Sequence, residues 1–353
     1  MATLRDIAQH AGAHLSTASY VLNGGRGSTR VSKSTRDRVL ESARELGYSA
    51  VRAAQQLRTG RSRVIGLLVG DLENPFFARM VSTCSDMLER RGYETIITER
   101  RRDEPADDHL LNTLLGRGVD GMLIWSETTT EARARLLRPD MENCVIIGYP
   151  IEGRDSVVVQ LDRGVLAALD HLWDQGYRRI GFLGPRFAVA RYGDPRHMLY
   201  CERAAVWQMP ERVYTFDGTA FEIGASRERV QVLWKDVSPA DRPDALLCFN
   251  DMTAIGALMG IRRAGGRVPD DIAIVGCDDL PIASQMDVPL SSICYPIKEI
   301  VAEAVRLLIE RIDAPSEAAI AAGEAGASEG LPASRVVWVR PEFLVRESSL
   351  RPA

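Results

Sequence analysis

Leu15, Ser16, Ser19 and Tyr20 fall on one face of the stretch LSTASYVLN. Two hydroxyls, a phenol and an aliphatic side chain at that spacing suit hydrogen bonding and apolar contact with base edges in a DNA groove. The opposite face carries Ala18, Val21 and Leu22, which turn back onto a preceding helix with Ile7, Ala8 and Ala11 at one-face spacing. Thr3 and Asp6 make an Asp version of the capping box. Gly12 follows Ala11 where the chain must turn sharply, a conformation that glycine takes without steric cost. The pair reads as a helix-turn-helix whose second helix fits a major groove. A plain αα-hairpin would show the same alanine and glycine spacing.

Other chemistry finds little support. The six cysteines, at 84, 144, 201, 248, 277 and 294, form no C-x-x-C, and the five histidines are scattered, so no metal site and no cofactor are expected. Most of these cysteines sit in apolar text, as buried free thiols in a reducing cytoplasm do. Gly326 to Gly330 fits G-x-S-x-G, but a nucleophile elbow needs a strand before it and a helix after it. This copy lies in DAPSEAAIAAGEAGASEGLPAS, residues 313–334, whose Ala, Gly, Ser and Glu content marks a low-complexity insertion. No G-x-G-x-x-G follows a strand, which counts against a nicotinamide-dependent enzyme. The chain is expected not to be an enzyme.

The whole chain has a net charge of −4. Residues 1–62 hold ten Lys+Arg and four Asp+Glu, a net of +6, so the remainder carries −10. A basic head on an acidic body is the electrostatic footprint of a DNA module joined to a sensor. With 353 residues, 45% hydrophobic and 26% charged, the chain is long enough for two or three domains. Residues 1–30 lack the apolar region of a signal peptide and no run reaches membrane-span length, so a cytoplasmic protein is expected.

The elements that must position these groups alternate along the chain. Ser32 to Leu46 is a third amphipathic helix, and 48–60 a fourth, short one. GGRGSTR, at 24–30, is a basic loop that either contacts phosphates or is simply solvated. Strand-like runs follow at 64–69, 94–98, 121–125 and 144–149, with helices at 76–91, 106–117 and 130–137. A second series has strands at 178–184, 213–216, 245–249, 272–276 and 335–339, with helices near 163–175, 197–208, 222–234 and 251–264. Apolar strands alternating with helices imply parallel sheets covered on both faces, and two series imply two α/β lobes. Ligands in such lobes bind beyond the carboxyl ends of the strands.

The text T-L-R-D-I-A, S-T-A-S-Y-V-L-N and A-A-Q-Q-L-R-T-G, then D-L-E-N-P-F-F, D-G-M-L-I, G-Y-R-R-I-G-F-L-G, N-D-M-T-A-I-G-A-L and V-P-D-D-I-A-I-V-G-C-D-D, runs in order over the whole chain. In this it resembles the lac repressor/galactose repressor family of bacterial transcription regulators. The resemblance implies an α/β chain: an all-α helix-turn-helix head at 1–49, a hinge helix at 50–60, and a two-lobed periplasmic-binding-protein-like core of doubly wound parallel sheets at 61–353. The N-lobe would comprise about 61–160 and 293–330, the C-lobe about 161–292 and 331–353. It further implies a homodimer on a near-palindromic DNA operator, a small-molecule effector between the lobes and no membrane partner. No heptad tail follows RESSLRPA, so a coiled-coil tetramer is not expected.

Residue by residue, the resemblance implies DNA contacts from Thr3, Leu15, Ser16, Thr17, Ser19 and Tyr20. Asn23, Arg30, Arg52 and Ala54 join them, with Leu57 as a minor-groove wedge. Tyr20 stands where the family usually carries arginine, and His14 where it usually carries a capping serine. Ligand contacts would come from Asp71, the aromatic wall Phe76 and Phe77, Trp125, Tyr149 and Asp162. Arg196, Asn250 and Asp278 complete the set. Arg196 lies in R-x-x-G-aromatic with Leu199 in place of the glycine. Asp162 resembles the V-D-N acid without its asparagine. Asn250 and Asp251 can instead cap the helix that follows them. An arginine, an asparagine and an aspartate beside aromatics suit a sugar or sugar derivative, with a nucleobase as runner-up.

Overall fold

The fold is taken from a computed structural model, which describes residues 3–22, 31–46, 61–100, 107–125, 136–190, 194–219, 223–314 and 334–351. The head holds α1 (Leu4–His10), α2 (Leu15–Leu22) and α3 (Lys33–Glu45). Ile7, Ala8, Ala11, Ala18, Val21, Leu22, Val39 and Ala43 bury together as its core. Small alanines let the helices approach closely, and Ile7 and Val39 fill the centre; each large aliphatic side chain contributes about 1.5–3 kcal/mol by leaving water. Gly12 has φ +58°, the left-handed turn expected of it. Arg38 Nε donates to the Ala11 carbonyl at 3.2 Å, tying α3 to that turn.

Beyond the head, the described residues hold two six-stranded sheets. The first contains β1 (Val64–Val69), β2 (Glu94–Glu99), β3 (Gly121–Trp125), β4 (Cys144–Gly148), β5 (Asp155–Val159) and β11 (Val336–Val339), in the order β11-β5-β4-β3-β1-β2. All its pairings are parallel. The second contains β6 (Ile180–Pro185), β7 (Val213–Phe216), β8 (Ala245–Cys248), β9 (Ala273–Cys277), β10 (Ser291–Cys294) and β12 (Glu342–Leu344), in the order β12-β10-β9-β8-β6-β7. Only the β10–β12 pairing among these is antiparallel. Central strands such as VIGLLV and AIVGC are buried along nearly their whole length because helices cover both faces.

The covering helices are α4 (Pro75–Glu89), α5 (Asp107–Gly116), α6 (Leu161–Asp174), α7 (Arg186–Ala190), α8 (Pro195–Val206), α9 (Ile223–Asp236), α10 (Asp251–Arg263) and α11 (Ile297–Asp313). Ile297, Ile300, Val301, Ala304, Val305, Leu308 and Ile312 line one face of α11 and bury against β1, β3 and β4 side chains in the N-lobe core.

Among the described elements the chain crosses between lobes three times: after β5, after β10 and between β11 and β12. The first two lie close to the expected 160 and 292. The third corrects the sequence reading, which placed 331–353 wholly in the C-lobe. Val336–Val339 instead pairs with Ser156–Val159 at the edge of the N-lobe sheet, and the crossing falls at Arg340 and Pro341. A buried ion group selects that edge. Asp155 receives Arg311 Nε at 2.8 Å, Arg335 Nη2 at 2.9 Å and the Arg335 amide at 2.7 Å.

Candidate DNA-binding head and ligand cleft

The capping box at the start of α1 forms as expected. Asp6 N donates to Thr3 Oγ1 at 3.3 Å, and Asp6 Oδ2 accepts from Thr3 N at 2.7 Å. The Thr3 amide and hydroxyl hold the Asp6 carboxyl below its ordinary pKa. On α2, Leu15 and Ser16 are exposed, Thr17, Ser19 and Tyr20 half-buried, and Ala18, Val21 and Leu22 buried. The helix thus packs on one face and presents the polar set on the other. His14 takes over the missing serine's place: its Nδ1 lies 2.8 Å from Ser16 Oγ and accepts from Ser16 N at 3.4 Å. An imidazole acceptor therefore replaces a hydroxyl at this helix start. Asn23, Arg30, Arg52, Ala54 and Leu57, with the hinge helix, lie outside the described residues.

The second site gathers at the carboxyl ends of the strands. Asp194 caps α8 by accepting from Arg196 N at 2.9 Å, and its oxygens also receive Arg196 Nε at 2.8 Å and Nη2 at 2.7 Å. Arg196 Nη1 donates to the Phe249 carbonyl at 2.6 Å, and the guanidinium lies 3.7 Å from the Phe249 ring centre. Burial works against the cation, but Asp194 outweighs it and keeps Arg196 charged.

Asn250 follows Phe249 and caps α10: its Oδ1 accepts from Thr253 N at 2.9 Å. The capping alternative is therefore met by one end of the amide. The other end, Nδ2, is buried without a hydrogen-bond partner, a costly state for a donor unless a ligand or water meets it. Asp278 follows β9 with φ +115° and is buried. Burial first, and then the neighbouring Asp251, push its carboxyl well above the usual pKa, while Arg196 and Arg79 pull the other way. Tyr295, in the second crossing, shares the electrostatic neighbourhood of Arg196 and Asp278.

Aromatic rings form the N-lobe side. Phe76 has its ring centre 5.2 Å from Phe77, 5.4 Å from Trp125 and 5.2 Å from Tyr295, all edge-on. Phe76 is itself buried in the core, so it backs the wall, and Phe77 and Trp125 are the half-buried rings in front. Asp71 Oδ1 accepts from Glu73 N at 3.0 Å, an Asx turn leading into α4. Tyr149 is half-buried just past β4.

Asp162 is the clearest correction. It lies exposed in the first turn of α6, where a carboxylate suits the helix dipole. Gln160 holds the strand-end place, with its Oε1 buried and unpartnered. Sequence reasoning missed Gln160 and Tyr295. The signal available was position alone, one residue past β5 and β10. Thr219, just past β7, also carries a buried, unpartnered hydroxyl oxygen.

Comparison with known proteins agrees with this division. The family model described as "Bacterial regulatory proteins, lacI family" matches residues 3–50. "Periplasmic binding proteins and sugar binding domain of LacI family" matches 62–157, and "Periplasmic binding protein-like domain" matches 169–349. The HTH-type transcriptional repressor PurR of Aliivibrio salmonicida is 30% identical over 317 residues, covering 88% of this chain and 92% of that protein. The ribose operon repressor of Haemophilus influenzae is 30% identical over 325 residues, covering 90% and 94%. The lac repressor dimer bound to operator and the anti-inducer ONPF shares the fold, with a TM-score of 0.73 at 23% identity over 99% of both chains.

Proposed function

Because the chain belongs to the lacI family of bacterial regulatory proteins and is a transcriptional repressor of that family, we propose that its grip on operator DNA is set by a small, uncharged, polar ligand held between the two lobes. The observation that carries the ligand reading is the set of buried, unpartnered polar atoms at the strand ends, Gln160 Oε1 and Asn250 Nδ2. One is an acceptor and the other a donor, and a ligand bearing hydroxyl or amide groups satisfies both.

Charge supports a neutral ligand. Arg196 is already matched by Asp194, and burial raises the Asp278 carboxyl above its ordinary pKa. An anionic ligand would find no unmatched cation among these residues. A sugar or sugar derivative fits best: its ring hydroxyls suit Asn250, Asp278 and the remaining Arg196 donors, and its apolar face suits Phe77 or Trp125. Those two rings also suit a nucleobase, the second reading. At the DNA, a dimer places two copies of α2 on the halves of a near-palindromic operator. The binding compartment is then that of the DNA, the cytoplasm. No helix among the described residues is long and apolar enough to cross a membrane.

A thermal-shift panel of ribose, glucose, adenine and guanine on the full chain tests the ligand class. A sugar that raises the melting temperature and changes operator affinity supports the reading. A response confined to the nucleobases replaces it with the second.

A further inference from the structure

Asp251 opens α10 next to Asn250, and its carboxylate is buried. Oδ2 accepts from Leu280 N at 2.7 Å, and Oδ1 accepts from Ser292 Oγ at 2.6 Å. Ser292 Oγ in turn accepts from Asp279 N at 3.0 Å. Two consecutive amides, those of Asp279 and Leu280, are therefore caught by one carboxylate, directly or through one hydroxyl. The fold leaves room for it: a Cβ on Gly276 would sit 2.2 Å from Asp251 Oδ1.

The turn held this way is strained. Asp278 has φ +115° and Asp279 φ +48°, adjacent non-glycine residues in conformations that L side chains rarely adopt. Such geometry persists only where the surroundings over-determine it. The same turn reaches the other lobe, because the Asp279 carbonyl accepts from Arg79 Nη1 of α4 at 2.9 Å. Arg79 lies two residues after Phe77 and three after Phe76 of the aromatic wall. The Asp279 carboxylate is separately paired with Arg346 at 2.6 Å.

We propose that Asp251 and Ser292 are positioning residues that couple the ligand cleft to a latch between the lobes, holding the 278–280 turn so that Asp278 stands beside Arg196 while the Asp279 carbonyl meets Arg79. The role of Asp278 rests on the ligand reading above; the latch does not. A ligand that shifts the Asp278 backbone also shifts the Asp279 carbonyl, because the two residues are adjacent in a turn pinned at the Asp279 and Leu280 amides. Arg79 is half-buried and borders a groove of about 540 Å³ beside Tyr295 and Lys298, so shortening its side chain does not open the core.

Hydrogen exchange read by mass spectrometry on the full, ligand-free chain tests the latch. Ser292→Ala is expected to speed exchange several-fold in 278–280 and also across the lobe boundary in 76–83. Arg79→Gln is expected to speed exchange in 278–280, and adding it to Ser292→Ala is expected to change 76–83 no further. Ser292→Thr, which keeps the hydroxyl, restores the wild-type pattern. Changes confined to the mutated lobe, or additive effects in the double variant, overturn the proposal. Arg79→Gln decides the matter alone if Ser292→Ala does not fold. No ligand enters the experiment, so its outcome is independent of whether the cleft takes a sugar.

Discussion

The Arg196 guanidinium holds both carboxylate oxygens of Asp194, at 2.8 and 2.7 Å, while stacked 3.7 Å from the Phe249 ring centre. One plane is thus fixed by a fork below and a ring beside it, leaving the outer N–H groups aimed by geometry and not by chance. Lysine cannot reproduce this. Arg196→Lys is expected to weaken ligand binding by roughly 1.5–3 kcal/mol, the worth of charge-assisted hydrogen bonds, and to leave operator binding by the ligand-free protein unchanged. Titrating ligand into the protein–operator complex by fluorescence anisotropy measures both. An unaltered ligand response would remove Arg196 from the cleft machinery.

Asn250 separates capping from recognition within one side chain. Asn250→Ser keeps an oxygen for Thr253 N and loses the Nδ2 donor. Stability is expected to change by less than about 1 kcal/mol, since serine and asparagine cap comparably. Ligand affinity is expected to fall by about 0.5–1.5 kcal/mol, one net hydrogen bond. Urea denaturation beside calorimetry distinguishes the two; loss of stability with full affinity would leave Asn250 as a cap only.

Asp155 and its two arginines should dominate the acid side of the stability curve. Burial alone would raise the Asp155 pKa, but the hydrogen bonds from Arg311 and Arg335 prevail and hold it below the ordinary value. A carboxylate with a depressed folded pKa stabilises the fold above its unfolded pKa, and that contribution is lost as pH falls through the folded value. Unfolding midpoints between pH 5 and 3 should therefore drop more steeply in wild type than in Asp155→Asn. At pH 7 the substitution leaves Arg311 buried and unmatched, at a cost of about 3–5 kcal/mol.

Asp251 acts in the opposite direction. Burial pushes its carboxyl up to about 7. The folded state then holds this proton more tightly than the unfolded chain, so the stabilisation is complete below the unfolded pKa and disappears as pH rises through about 7. Stability should decline between pH 5 and 7 by at most about 1.4 kcal/mol per pH unit from this residue. Asp251→Asn should remove that component of the slope. An identical pH dependence in the variant would contradict the assignment.

Tyr20 carries the operator prediction. A tyrosine offers one hydroxyl and a flat ring, where arginine would bridge guanine O6 and N7. Selection from a random DNA pool should give wild type a half-site without that guanine, and Tyr20→Arg should gain it, by roughly 1–3 kcal/mol at one symmetric position. The complex should also weaken steeply with salt, because its basic head displaces counterions. If both proteins select one site, Tyr20 packs and does not read.

Features set by neighbours in the chain were legible from the sequence alone. The Thr3–Asp6 box, the Gly12 turn, the buried and exposed faces of α2, and many of the strands and helices of both lobes rest on local hydrogen bonds and on 3.6- or 2-residue periodicity. So does the placing of Asn250 and Asp278 at strand ends. β5, β10, β12, α7 and α11 were not read from that periodicity. Tertiary structure decided what depends on partners far along the chain. A run such as VVWV pairs equally well with any parallel neighbour, and Asp155, some 180 residues away, ties it to the N-lobe edge. Gln160, and not Asp162, stands at the strand end because the end of β5 fixes which residue is the last before the helix begins. Asp251 read as a helix-start acid, and only the meeting of α10, the 278–280 turn and β10 made it a buried hub. Periodicity reports which face of an element is buried; which groups meet there is set by long-range packing.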